Sequence, residues 1–207
     1  LSEITAIEPQ KKRADRVSVF IDGEFVVGVG ADVAAAAGLF VGMSVDSNDL
    51  NTLLRAELAR KARERAIRLI QYRDRSVEEV RRRLAGEDFP PDVIDEVMEF
   101  LARTELVDDK KFSRDWVEAR TAAKPMGKAR LARELFARGI DREVVEEATG
   151  AIDDGTEYEL AMALARKKSA AADLSDRANR DRLASFLARR GFDWDTIRRV
   201  LGDLDAD

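Results

Sequence analysis

Ala137-Arg138-Gly139-Ile140-Asp141 and Arg189-Arg190-Gly191-Phe192-Asp193 are near-copies of each other, 52 residues apart. In each, the Gly can take the left-handed conformation that follows a helix, the next apolar residue packs back, and the Asp is placed to cap the following helix. A step of 51 back from Ile140 lands on Phe89, where Pro90 and Pro91 replace the Asp and preset the first turn of a further helix. Phe89, Ile140 and Phe192 therefore anchor an internal repeat of about fifty residues.

The repeat extends well beyond its anchors. Nine residues before them stand Val80, Leu131 and Leu183, and five before them Leu84, Leu135 and Leu187. Five residues after come Ile94, Val145 and Ile197, eight after Val97, Ala148 and Val200, and twelve after Leu101, Ile152 and Leu204. Every one is apolar in a chain that is 45% hydrophobic, and the spacing puts one stripe on each helix at a period of 3.6. A preceding helix is marked by Ile67 and Ile70, by Phe112, Trp116 and Val117, and by Leu160 and Leu164. The expected fold is mainly α: three tandem three-helix repeats over residues 51–107, 108–154 and 155–207. A repeat of that size is marginal alone, so neighbours are expected to pack into an elongated, curved array.

Residues 1–50 read differently. Ile4 to Glu8, Val17 to Ile21 and Glu24 to Val29 have strand character, and Asp22-Gly23 supplies the positive φ angles of a tight turn. Ala31 to Ala37 reads as a short helix that Gly38 ends, and Ser47 or Asn48 can cap a long helix running to about Tyr72. The result is a small N-terminal element containing a β-hairpin. Gly28-Val29-Gly30 has Val33 where a dinucleotide fingerprint needs its third Gly, and Asp153-Asp154-Gly155 lacks the alternating ligands of a calcium loop. The first reads as the exit of the hairpin and the second as a linker.

Composition narrows the chemistry. Among 207 residues there is no Cys and no His, which excludes disulfides, thiolate and imidazole metal sites, Ser-His-Asp triads and Cys nucleophiles. Carboxylate pairs such as Glu78-Glu79 and Glu146-Glu147 point to different helix faces, so no catalytic constellation forms, and neither enzyme activity nor a cofactor is expected. No apolar run approaches a membrane span, and Leu1 to Gln10 has neither the basic start nor the apolar stretch of a signal peptide. A soluble cytoplasmic protein is expected, with a processed N-terminus because Leu1 is not Met.

Charge follows the repeat. Residues 55–83 carry eleven Lys and Arg against five Asp and Glu, 110–142 ten against four, and 160–190 eight against three. The segments between them are acidic, so a net charge of −5 hides basic first and second helices and acidic third helices. The candidate binding residues are Arg73, Arg75, Arg81, Arg82, Arg83, Lys124, Lys128, Arg130, Arg133, Arg180 and Arg182, in the second helices and the loops that enter them. Guanidinium groups suit bidentate pairing with phosphate or carboxylate, so a polyanion or an acidic protein surface is the expected partner. The competing reading pairs the basic helices with the acidic third helices inside the fold. Of the aromatic residues that could stack bases, Phe112 and Trp116 have core spacing and Tyr72 is the candidate for an exposed one.

Together these residues resemble the RecX family of bacterial recombination regulators. The likeness runs through Ile4-Thr5-Ala6-Ile7, Val17 to Phe25, Tyr72-Arg73-Asp74-Arg75-Ser76 and Arg81 to Leu84, then Leu106-Val107-Asp108-Asp109 with Phe112. It continues through Lys124-Pro125-Met126-Gly127 and Leu135 to Ile140, and so spans nearly the whole chain. The resemblance implies three tandem three-helix repeats and a monomer acting in recombination, DNA repair and the SOS response. It further implies binding to the RecA recombinase filament on single-stranded DNA, with suppression of ATP hydrolysis and strand exchange. Some contacts are expected to reach DNA phosphate. Two other readings stay open: a RecA-independent DNA-binding helical repeat protein, and a helical scaffold with the hairpin as a docking edge.

Overall fold

The computed structural model describes residues 2–170 and 174–204; Leu1, residues 171–173 and residues 205–207 lie outside the described residues. The chain folds into two compact units, one made of residues up to 73 with 80–106, the other of 74–79 with the chain from 107 onward.

The first unit begins with an antiparallel sheet. Strands β1 (Ser2–Gln10), β2 (Arg13–Ile21) and β3 (Glu24–Gly30) form a meander, and a two-residue strand β4 (Ser44–Val45) pairs with Ser2 and Glu3, giving the order β3-β2-β1-β4. The expected turn between β2 and β3 is present, with Asp22 at φ 50° and Gly23 at φ 86°. Helix α1 (Ala31–Ala36) is closed by Gly38 at φ 62°. One face of the sheet buries Ile4, Val19 and Val29 against Val33, Ala34 and Leu53.

Helix α2 (Ser47–Tyr72) carries that sheet on its first half. Its cap is Asp46 and not Ser47 or Asn48: Asp46 Oδ1 accepts from Asn48 N–H at 2.7 Å and Asp49 N–H at 2.9 Å, while Asp49 Oδ2 accepts from Asp46 N–H. A reciprocal box of this kind satisfies more orphan donors than a lone Ser or Asn, which is why the helix starts there. Glu57 is the buried link between helix and sheet. It is 2% exposed, accepts from Gly30 N–H at 2.9 Å, and pairs with Arg16 of β2 at 2.7 Å and Arg60 at 3.0 Å. Burial pushes its carboxyl up, but the hydrogen bonds from Arg60, Gly30 and Arg16 push harder the other way and hold it at about 2, down from an ordinary 4.5.

Three-helix repeats follow as expected. Helices α3 (Val77–Ala85) and α4 (Pro91–Arg103) complete the first, α5 (Asp109–Ala123), α6 (Lys128–Phe136) and α7 (Arg142–Gly150) make the second, and α8 (Asp154–Ser169), α9 (Arg177–Arg189) and α10 (Trp194–Leu204) the third. In each, the first helix packs on the third: α2 on α4, α5 on α7, α8 on α10. Fourteen of the fifteen periodic positions are buried, and the last, Leu204, is partly buried against the third core. The same turn closes every middle helix: Phe89 N–H donates to Leu84 O, Ile140 to Leu135 O and Phe192 to Leu187 O at 3.3–3.4 Å. Gly139 and Gly191 take the left-handed position, and Asp88, at φ 61°, occupies it in the first repeat.

Two details differ from expectation. Asp193 caps α10 through Thr196 N–H at 2.7 Å, but Asp141 makes no side-chain cap to α7. Ile67, Ile70, Leu160 and Leu164 are only half-buried, because the interior faces of α2 and α8 are lined by Ala62, Ala66 and Leu69 and by Ala161, Met162 and Ala165. Small side chains there let the third helix approach closely.

Candidate interaction surface

The middle helices that carry the candidate basic residues are fixed by a repeated contact inside the second unit. Gly127, just before α6, donates its N–H to Arg190 O at 3.0 Å, and Lys128 N–H donates to the buried Glu157 Oε1 at 3.0 Å. Fifty-one residues earlier the same pair of contacts recurs: Ser76 Oγ donates to Arg138 O at 2.7 Å and Val77 N–H to Asp109 Oδ1 at 2.9 Å. Each helix N-terminus therefore rests on a left-handed turn from the following repeat and is closed by a carboxylate from that repeat's first helix. Lys128 adds its ammonium to Asp154 at 3.0 Å and to Glu157 at 3.5 Å. Burial lowers the Lys128 pKa, but those two carboxylates outweigh it and the net shift is upward. At the other junction Val77 offers no cation, and Asp109 is raised by burial and by Asp141, Asp108 and Glu79 against the opposing hydrogen bond from Val77.

Helix α9 does not share this arrangement. It begins earlier, at Arg177, and Asp176 caps it through Ala178 N–H at 3.0 Å. Arg180, at the repeat position of Lys128, already donates its N–H to Asp176 O at 3.1 Å.

The candidate residues divide between surface and fold. Arg81 pairs with Asp95 of α4 at 2.5 Å, and Arg130 reaches Glu134 at 3.5 Å and Arg189 O at 3.3 Å. Together with Lys128 they hold neighbouring elements. Arg73, Arg82, Arg83, Lys124, Arg133 and Arg182 are exposed, and Arg75 and Arg180 half-buried. Arg133 Nε donates to Ala129 O at 3.2 Å and Arg182 Nη1 to Asn179 Oδ1 at 3.1 Å. Arg82 and Arg133 hold the same repeat position, as do Arg130 and Arg182. First-helix cations pair within their own repeats: Arg55 with Asp92 at 2.8 Å and Glu96 at 3.1 Å, and Lys110 with Glu147 at 2.9 Å. The internal pairing of basic with acidic helices thus accounts for part of the charge pattern, and the exposed Arg and Lys of the middle helices for another.

Aromatic residues are mostly covered. Phe112 stacks on Trp116 with centroids 5.9 Å apart, and the guanidiniums of Arg138 and Arg120 lie 3.5 Å and 4.5 Å from the Trp116 ring. Phe186 has Arg190 at 5.2 Å and Lys168 at 5.8 Å. Glu57, Asp109 and Glu157 were not foreseen as structural residues. Asp109 lies 31 residues before its anchor and Glu157 lies 35 before, a difference of one helical turn that keeps them on one face but hides them from any fixed-offset alignment.

A small N-terminal sheet followed along the chain by three three-helix units defines a helical-repeat protein, in which no described helix is long and apolar enough to cross a membrane. Models of the RecX N-terminal domain and of the first, second and third RecX three-helix domains match residues 2–46, 62–101, 108–148 and 156–201. Regulatory protein RecX of Clostridioides difficile (strain 630) is 30% identical over 97% of this chain and 95% of its own. That of Bacillus velezensis is 31% identical over 96% of this chain and 76% of its own. The fold matches a crystal structure of a regulatory protein RecX at a TM-score of 0.81, with 21% identity, covering 97% of this chain and 98% of that one. A crystal structure of RecX from Lactobacillus salivarius matches at 0.69 with 25% identity, over 73% of this chain and 99% of that one. The chain belongs to the RecX family of regulatory proteins.

Proposed function

We propose that this chain is a non-enzymatic negative regulator of a RecA recombinase, binding the RecA filament on single-stranded DNA as a cytoplasmic monomer and lowering its ATP hydrolysis and strand exchange. Family membership supports the regulatory role. The observation that carries the binding mode is the presence of exposed cations on each middle helix, Arg82 and Arg133 at equivalent positions of the first two and Arg182 on the third. A filament presents the same acidic or phosphate-bearing surface at regular intervals, so repeated weak contacts on one ligand raise affinity by effective concentration. The test is ATP hydrolysis by the cognate RecA on saturating single-stranded DNA, titrated with this protein. Inhibition well below the RecA concentration supports the reading, and an unchanged rate across the titration overturns it.

The same exposed cations also favour a second reading, direct DNA binding without RecA. Affinity for naked DNA combined with no effect on RecA would select it, and the salt slope would then be roughly −0.7 per phosphate neutralised on a single strand.

A further inference from the structure

We infer that Tyr72 is a stacking platform for an unpaired nucleobase, with Arg68 and Arg73 beside it to take the adjoining phosphates. This deepens the proposed function, on which it rests for the presence of single-stranded nucleic acid. Tyr72 is the last residue of α2 and is 84% exposed, the most open of the large hydrophobic side chains. Its side chain makes no hydrogen bond or ring contact among the described residues.

That openness runs against the habit of this protein. The rings of Phe100, Trp116, Tyr158 and Phe186 each lie under a cation, with Arg63 at 4.5 Å from Phe100 and Arg199 at 4.0 Å from Tyr158. Tyr72 has cations within reach and none on its face. Arg68 stands one turn back on the same face of α2, with a side chain 61% exposed and only a 3.9 Å approach to Glu64, and Arg73 follows directly and is exposed. Trp194 supplies the contrast. It is 60% exposed as well, but the residues on either side of it are Asp193 and Asp195, and the cation one turn on, Arg198, is already paired with Asp195. Of the four open rings without an intramolecular ring contact among the described residues, Phe40, Tyr72, Phe136 and Trp194, Tyr72 is the most exposed, and exposed arginines stand one turn before it and directly after it. A nucleobase needs a bare π-face and its backbone needs cations at either side, and a segment ending in Tyr72-Arg73 provides both.

The test uses the full chain and an oligothymidylate carrying one 5-iodouracil, with photo-crosslinks mapped by mass spectrometry and affinity measured by anisotropy. The expected crosslink is at Tyr72. Tyr72→Ala should weaken binding by about tenfold, Tyr72→Phe should keep it because stacking needs the ring and not the hydroxyl, and Trp194→Ala should change nothing. The idea fails if the wild-type chain gives no crosslink at Tyr72, or if Tyr72→Ala binds the oligonucleotide as the wild type does. RecA ATPase measured in parallel separates the two readings. Loss of inhibition in Tyr72→Ala with full oligonucleotide binding would place Tyr72 against protein and overturn the stacking role. A Tyr72 crosslink in a protein that leaves RecA unaffected would uphold the stacking role and remove the regulatory reading.

Discussion

Gly127 and Gly191 meet backbone to backbone: a Cβ on Gly127 would lie 2.2 Å from Gly191 O, and a Cβ on Gly191 would lie 2.4 Å from the backbone nitrogen of Arg130. Neither neighbour is the free end of a side chain, so any substitution must separate the second and third repeats. Gly191 also sits at φ 91°, which reinforces the requirement.

Gly127→Ala is therefore expected to destabilise the protein by about 2–4 kcal/mol, as an overpacked and strained contact does. Gly150→Ala is the control. Nothing lies within 4 Å of a Cβ there, the residue ends α7, and the change should be neutral or stabilising by up to about 1 kcal/mol. Urea unfolding followed by circular dichroism distinguishes the two, and equal stabilities would show that the junction yields freely.

Glu57 gives an acid dependence whose sign is fixed. Its carboxyl sits at about 2 in the fold against an ordinary 4.5, so the stability it contributes is complete above about 4.5 and is lost as pH falls toward about 2. Glu57→Gln should flatten that part of the stability profile, and an unchanged profile would place the acid transition elsewhere. Glu57→Ala should cost more, about 3–5 kcal/mol at neutral pH, because Arg16 and Arg60 would remain buried without their shared partner.

Charge reversal separates binding from folding. Lys124→Glu with Arg133→Glu alters exposed side chains, so helix content and unfolding midpoint should hold while affinity for the RecA filament falls by roughly tenfold or more and its salt dependence weakens. Arg130→Glu should lower the midpoint as well, since Arg130 bonds Arg189 O and lies against Gly191. Retained inhibition by the first double variant would move the contact surface away from α6.

Trp116 offers a spectroscopic check on the second repeat. Arg138→Met removes the guanidinium 3.5 Å from the ring and should cost about 1–2 kcal/mol with a shift in Trp emission. Trp194 is open to solvent and its emission should not move, so an unaltered spectrum would mean that the stack carries no weight.

The repeat was legible because its signals are local. A left-handed Gly followed by an apolar residue needs only a few neighbours in sequence, and Gly139-Ile140 and Gly191-Phe192 behave as read. Asp88 in the same conformation was hidden, since Asp gives a weaker left-handed signal than Gly and Pro90-Pro91 already marked the break. The α2 cap was displaced by one residue because Asp46, Ser47 and Asn48 are all good caps and only the return bond from Asp49 decides among them. Strand β4 is two residues long and has no pattern to find. The roles of Arg81, Lys128 and Arg130 were illegible for a different reason: an exposed cation and one held by Asp95 or Glu157 look alike until the partner is in place, and Glu157 lies 29 residues from Lys128.

The closure of α3 and α6 by carboxylates from farther along the chain gives the molecule a direction. Val77 and Lys128 each wait for a group that has yet to be synthesised when their own helix emerges, whereas α9 carries Asp176 with it. The N-termini of α3 and α6 thus depend on chain that follows them, and that of α9 does not. Losing the following repeat would leave the first turn of α3 or α6 without that acceptor, whereas α9 would keep its own.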